Sequence, residues 1–229
     1  MIAIVDYGVG NIFSLQSSLS SLGEDVVLTA DEAVLAAADG IILPGVGAFG
    51  DARAKLAVGG LDEVLVRLCA EGAGKPLLGI CLGMQLLFDE SLEFGRHEGL
   101  GLVPGRVVPM RGVVPDEFQV PQIGWNALTF AERGPGRLLT GTRAGTYVYF
   151  VHSYFATDCE ANLTATCDYG APLAAVVERG NVFGCQFHPE KSGREGLEIL
   201  RRFCEIAHET ADGGADSPVL PSEGGEARC

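Results

Sequence analysis

Apolar residues in the first third of the chain come in short runs separated by segments of helical spacing. Ile2–Val5 is an unbroken apolar run that ends in Asp6-Tyr7-Gly8-Val9-Gly10-Asn11, after which Ile12, Leu15, Leu19 and Leu22 recur at helical intervals up to Gly23. This pattern predicts strand, glycine turn and helix. Val26-Val27-Leu28 leads to a short Ala-rich helix, Ile41-Ile42-Leu43 leads to Pro44-Gly45, and a helix carrying Leu61, Val64, Leu65 and Leu68 leads to Leu77-Leu78-Gly79-Ile80. Continuous apolar strands alternating with helices predict a mostly parallel α/β sheet covered on both faces.

The texture changes after about residue 99. Arg106-Val107-Val108, Tyr147–Val151, Leu173–Val177 and Val182–Cys185 are short β-rich runs separated by Gly and Pro. Some of them are expected to pair antiparallel and others to extend the main sheet. A closing helix presents Leu197, Leu200, Phe203 and Ala207 on one face, and from about Glu209 the chain turns to Gly, Ala, Pro, Ser and acidic residues. The expected organisation is one domain over residues 1–208 and a disordered acidic tail over 209–229.

Composition narrows the partners. The 229 residues are 47% hydrophobic, enough for a substantial core, and 16 Lys and Arg against 30 Asp and Glu give a formal net charge of -14. That sign disfavours nucleic acid and anionic lipid. No basic leader and no apolar run of spanning length is present, so the expected location is cytoplasmic, away from membranes. Seven scattered cysteines without CxxC or zinc-ligand spacing argue against a disulfide framework or structural metal.

Two segments carry chemistry. Gly79-Ile80-Cys81-Leu82-Gly83 has the G-x-nucleophile-x-G form between an apolar strand and a helix start, the setting of a nucleophile elbow. Such a turn strains the nucleophile's backbone and places its sulfur at a helix N-terminus, which favours thiolate. Phe187-His188-Pro189-Glu190 adds a histidine with an acid two residues on, and in extended chain the two side chains share one side, so Glu190 can orient His188. Cys81, His188 and Glu190 are thus the catalytic candidates for nucleophilic acyl transfer. Attack on an amide also needs oxyanion donors, each worth about 2.7–4 kcal/mol of barrier. The backbone of Leu82 and the loop Pro44-Gly45-Val46-Gly47-Ala48-Phe49-Gly50, with Val46 and Gly47 at its centre, are the candidates, both at the carboxyl edge of the sheet.

These residues resemble the class I, or triad, glutamine amidotransferases, matching Cys81, Gln85, His188 and Glu190 position by position. Further strings are similar to the glutaminase subunits of imidazole glycerol phosphate synthase: Asp6–Asn11, Pro44–Gly47, Gly124-Trp125-Asn126, Phe150-Val151-His152-Ser153-Tyr154 and Phe187–Ser192. The resemblance covers residues 1 to about 208. It implies a flavodoxin-like sandwich with an added antiparallel hairpin layer, glutamine as substrate, no metal or organic cofactor, and a heterodimer with a (β/α)8-barrel cyclase that consumes the ammonia. It implies that Gly47, Gln85 and Glu93 hold the amino-acid end of glutamine and that His152, Ser153 and Tyr154 line the pocket. It further implies a loop Pro44–Gly47 whose backbone rearranges when the partner is loaded. Asn11, Trp125 and Lys191 are candidates for the partner face, with Trp125 open to a second reading as core. Gln122 departs from the pattern, since related sequences often carry His there.

Free ammonia in neutral water is mostly ammonium, which has lost its nucleophilic lone pair, so its transfer needs shielding by a partner. Three rivals stand beside this reading. Another amidotransferase of the class is disfavoured by the Gly-Trp-Asn and His-Pro-Glu-Lys-Ser strings, and a non-catalytic regulator by the complete Cys81, His188 and Glu190. A stand-alone γ-glutamyl hydrolase differs in pocket and partner face, which sequence does not measure.

Overall fold

A computed structural model describes residues 1–70 and 74–213. Its main sheet has nine strands: β1 (Ile2–Val5), β2 (Val26–Thr29), β3 (Gly40–Leu43), β4 (Leu77–Ile80), β8 (Gln122–Phe130), β9 (Tyr147–His152), β11 (Leu163–Asp168), β12 (Pro172–Arg179) and β13 (Val182–Cys185). Their order is β2-β1-β3-β4-β13-β12-β11-β8-β9. From β2 to β13 neighbours are parallel; from β13 to β9 they are antiparallel. A second sheet of order β10-β7-β5-β6 contains β5 (Glu90–Ser91), β6 (His97–Glu98), β7 (Arg106–Pro109) and β10 (Tyr154–Thr157). The β-rich second half therefore both extends the main sheet and builds an added layer.

Strand periodicity divides the core. Ile2 and Ile4 of β1 point to one face with Ile42, Leu78 and Ile80, against α1 (Ile12–Ser21) and α6 (Gly193–Gly213). Ala3 and Val5 point to the other with Ile41, Leu43 and Leu77, against α2 (Glu32–Ala37), α3 (Phe49–Val58), α4 (Leu61–Cys69) and α5 (Leu82–Leu86). Burial on both faces is why these strands read as continuous apolar runs. Among the described residues no helix is long and apolar enough to cross a membrane.

Several expectations shift. The glycine-rich loop ends earlier than expected, because Phe49 and Gly50 already belong to α3, a helix whose buried face is only Phe49, Ala52 and Leu56. The closing helix runs to Gly213, past the boundary expected at 208, and of the tail expected over 209–229 the residues 214–229 lie outside the described residues. His188 has extended backbone, but Glu190 does not. Pro189–Lys191 forms a 3-10 turn with His188 as its N-cap, since the fixed φ of Pro189 suits the first position of a helical turn.

Three strand ends converge at one edge: Pro44 follows β3, Cys81 follows β4, and Gln186 with His188 follows β13. The convergence depends on Gly83, where a Cβ would fall 1.8 Å from the Leu43 carbonyl oxygen. Gly83→Ala is expected to destabilise the fold by at least about 1–3 kcal/mol, measured as a lowered denaturation midpoint. An unchanged midpoint would show that the elbow does not need this close approach.

Candidate active site

The turn between β4 and α5 forces Cys81 to φ 55 and ψ -111, a left-handed conformation that side chains other than glycine rarely adopt. This is the strain expected of an elbow, and it lifts the thiol out of the sheet edge. The Cys81 N–H donates to the Cys185 carbonyl at 2.8 Å, so pairing of β4 with β13 continues into the nucleophile itself. Cys81 Sγ lies 3.8 Å from the Val151 carbonyl oxygen of β9.

His188 is held from three directions. Its N–H donates to the Tyr149 carbonyl at 2.9 Å, and the Ser192 hydroxyl donates to the His188 carbonyl at 2.6 Å while accepting from the Tyr149 N–H at 3.0 Å. Its Nδ1 lies 2.9 Å from Glu190 Oε1, with both side chains 3% exposed. A carboxylate partner places the ring proton on Nδ1 and turns Nε2 toward Cys81. Nε2 makes no bond of standard geometry, yet Cys81 is a main upward influence on the ring. Burial alone would lower the His188 pKa; Cys81 and Glu190 outweigh it and raise the value to about 9.

A cavity of about 390 Å³ opens over Cys81. Val46, Gly47, Leu82, Gln85, Glu93, His152, Ser153, Tyr154, His188 and Lys191 line it. His152 and Tyr154 mark the corner where the chain leaves the main sheet and enters the second sheet. Gly47 has φ 98, a backbone conformation that suits glycine, and a Cβ there would meet nothing within 4 Å.

Gln85 and Glu93 are buried rather than solvated. Glu93 Oε2 accepts the Phe49 N–H at 2.6 Å, so its carboxylate caps α3, whose own N-cap is Ala48. Burial pushes the Glu93 pKa up, and the Phe49 N–H opposes that. Gln85 Nε2 donates to the Tyr154 carbonyl and to Gln186 Oε1, each at 3.0 Å, leaving the Gln85 carbonyl for a ligand. His152 Nδ1 donates to the Tyr154 carbonyl at 2.8 Å, so Nε2 carries a lone pair, and it is buried without a protein partner. Burial drives the His152 pKa down to about 4.

Trp125 is not core: it is 50% exposed and packs edge-on to Tyr149, with ring centroids 6.0 Å apart. Lys191 Nζ stands 5.9 Å from the same Tyr149 ring on its other contact. Asn11 borders a separate small cavity behind the triad, shared with Gly45, His188 and Glu190. Sequence reasoning missed Phe94, Tyr149, Ser192 and Gln186. Phe94 lines the cavity and packs against Tyr154 at 6.2 Å. Gln186, fully buried, stands directly before the Phe-His-Pro-Glu string, which was the available signal. Among the described residues no group of His, Cys, Asp and Glu could hold a metal ion.

Comparison with known proteins shows the family and the fold. A family model for class I glutamine amidotransferases matches residues 3–207. The imidazole glycerol phosphate synthase subunit HisH of Moorella thermoacetica is 48% identical over 214 residues, covering 93% of this chain and 98% of that one. The subunit of the same name from Rhodopirellula baltica is 45% identical over 212 residues, covering 92% and 100%. A crystal structure of a glutamine amidotransferase superposes with a TM-score of 0.70 at 18% identity, covering 91% of this chain and all of the other, a likeness of fold.

The two histidines give opposite pH signatures. The folded pKa of His188 lies above the roughly 6.5 of a free imidazole, so its contribution to stability is full below that pH and is lost as pH rises through about 9. The folded pKa of His152 is depressed, so stability falls as pH drops from roughly 6.5 toward about 4. Imidazole resonances followed by NMR are expected to titrate near these two values, with the His188 value lowered in Glu190→Gln. Titration of both rings near the free value would contradict the assigned environments.

Proposed function

The chain belongs to the class I glutamine amidotransferases and, within them, to the HisH subunits of imidazole glycerol phosphate synthase, and from that premise we propose how its residues release ammonia. It is a glutaminase subunit of histidine biosynthesis, with glutamine as substrate and a cyclase subunit as partner. Cys81 Sγ attacks the carbonyl carbon of the glutamine side-chain amide, and the resulting oxyanion is received by backbone N–H groups of Leu82 and of the Val46–Gly47 segment. His188 takes the thiol proton and delivers it to the amide nitrogen, which leaves as ammonia. Water, deprotonated by His188, then splits the thioester and releases glutamate.

The observation that carries this reading is that Cys81 and His188 line one cavity, with Glu190 2.9 Å from His188 Nδ1. A raised His188 pKa keeps a proton available for the leaving nitrogen at neutral pH. The Gln85 carbonyl and the second Glu93 oxygen suit the α-ammonium of glutamine, while Ser153 and Tyr154 stand where its α-carboxylate would lie. His152, neutral because burial lowers its pKa, adds no charge to this end of the pocket.

The partner is a (β/α)8-barrel cyclase seated over the cavity mouth, where released ammonia stays shielded from protonation. Ile123 at 62% exposure, Phe94 at 85% and Trp125 at 50% give that face an apolar surface, and Asn11 and Lys191 supply its polar contacts. Such a face favours a partnered subunit over a stand-alone hydrolase. Its working place is the cytoplasm, where glutamine and the phosphorylated intermediates of the pathway are held.

Cys81→Ala is expected to abolish imidazole glycerol phosphate formation from glutamine while leaving formation from added ammonium by the assembled complex. Loss of both in a folded complex would refute this division of labour.

A further inference from the structure

The register of β4 and β13 brings a second polar side chain to the nucleophile. Ile80 pairs with Cys185, so the next residue on each strand, Cys81 and Gln186, emerge side by side at the sheet edge. Gln186 is fully buried, and its N–H is fixed to the Ala175 carbonyl at 2.9 Å. Its amide has one orientation compatible with its neighbours. Oε1 accepts from Gln85 Nε2 at 3.0 Å, which turns Nε2 toward Cys81 Sγ, 3.7 Å away.

We propose that Gln186 is a further catalytic residue: its side-chain N–H donates to Cys81 Sγ and stabilises the thiolate in which the nucleophile attacks. This rests on the glutaminase reading above and extends it. A neutral donor to a thiolate makes a charge-assisted bond, stronger than the same bond to a thiol, so it shifts the balance toward the charged form. The other groups near Cys81 divide in sign: the Val151 carbonyl, 3.8 Å from Sγ, favours the thiol, which can donate to it. His188 favours thiolate; Glu190 stands behind it, bonded to its far nitrogen. Tyr7, whose hydroxyl donates to the Pro44 carbonyl at 2.7 Å, and Cys185 are both kept neutral by burial. Gln186 is the neutral side chain in this group that donates to the sulfur.

The same chain ties the thiolate to the substrate subsite. Gln85, whose carbonyl faces the cavity, holds Oε1 of Gln186 with one N–H and the Tyr154 carbonyl with the other. A ligand that moves Gln85 therefore moves the donor to Cys81.

The experiment compares wild type, Gln186→Met and Gln186→Glu in complex with the cyclase. Met conserves volume and removes the donor; Glu keeps an acceptor for Gln85 and places a carboxylate where the donor was. The readout is the rate of Cys81 alkylation by iodoacetamide as a function of pH, beside kcat and KM for glutamine. Both variants are expected to move the alkylation profile to higher pH by about one unit or more, a roughly tenfold change in the thiol–thiolate equilibrium. Gln186→Glu is expected to lose kcat with little change in KM, and ammonia-dependent synthesis is expected to be unchanged in both. Folded variants with the wild-type midpoint would overturn the proposal, including the case where KM alone rises, which marks a purely structural role. Should wild type fail to turn over glutamine while the alkylation shift persists, the glutaminase reading falls and the donor role of Gln186 stands.

Discussion

The site depends on the close approach of Gly83 to the Leu43 carbonyl, where a turn after one strand is pressed against the end of its neighbour. This contact leaves no room for a side chain and fixes how sharply the chain leaves β4 for α5. The left-handed backbone of Cys81 follows from it. Strain of this kind costs about 1–3 kcal/mol and persists only where the surroundings over-determine it. Here the surroundings are parallel strands buried on both faces, with helices on each side that cannot yield independently.

Around that fixed point, residues expected to bind substrate also hold the fold together. Glu93 caps α3 through the Phe49 N–H, so a carboxylate that lines the cavity also anchors the helix that follows the Pro44–Gly47 loop. Gln85 ties α5 to the corner at Tyr154 and to Gln186 at the end of β13. Ser192 fastens the His188 turn to β9 beside Tyr149, which in turn meets Trp125 and Lys191 on the outer surface. A load on the outer surface can therefore reach His188 through one strand. Gly47 stands among these residues with positive φ and open space where a side chain would be.

Much of this was legible in sequence where burial is two-sided. The parallel strands β1, β3 and β4 show as apolar runs because both faces are covered, and the elbow shows because its glycines are sterically required. β8 escaped notice for the opposite reason: Ile123 and Trp125 face outward and Gln122 is buried, so no run or alternation marks the strand. α3 was hidden because Ala52 fills its contact face between Phe49 and Leu56. The partnership of His188 and Glu190 was readable, although a 3-10 turn produces it rather than extended chain. Gln186 was legible only as the residue before the Phe-His-Pro-Glu string; its contact with Cys81 arises from the β4–β13 register, a long-range pairing.

The central claim is that this chain is a glutaminase completed by its partner. The most direct measurement is glutamate release from glutamine by the purified chain, alone and with the cyclase subunit carrying its nucleotide ligand. The account predicts weak release alone and a rise by orders of magnitude with the loaded partner. High release by the isolated chain, indifferent to the cyclase, would contradict it.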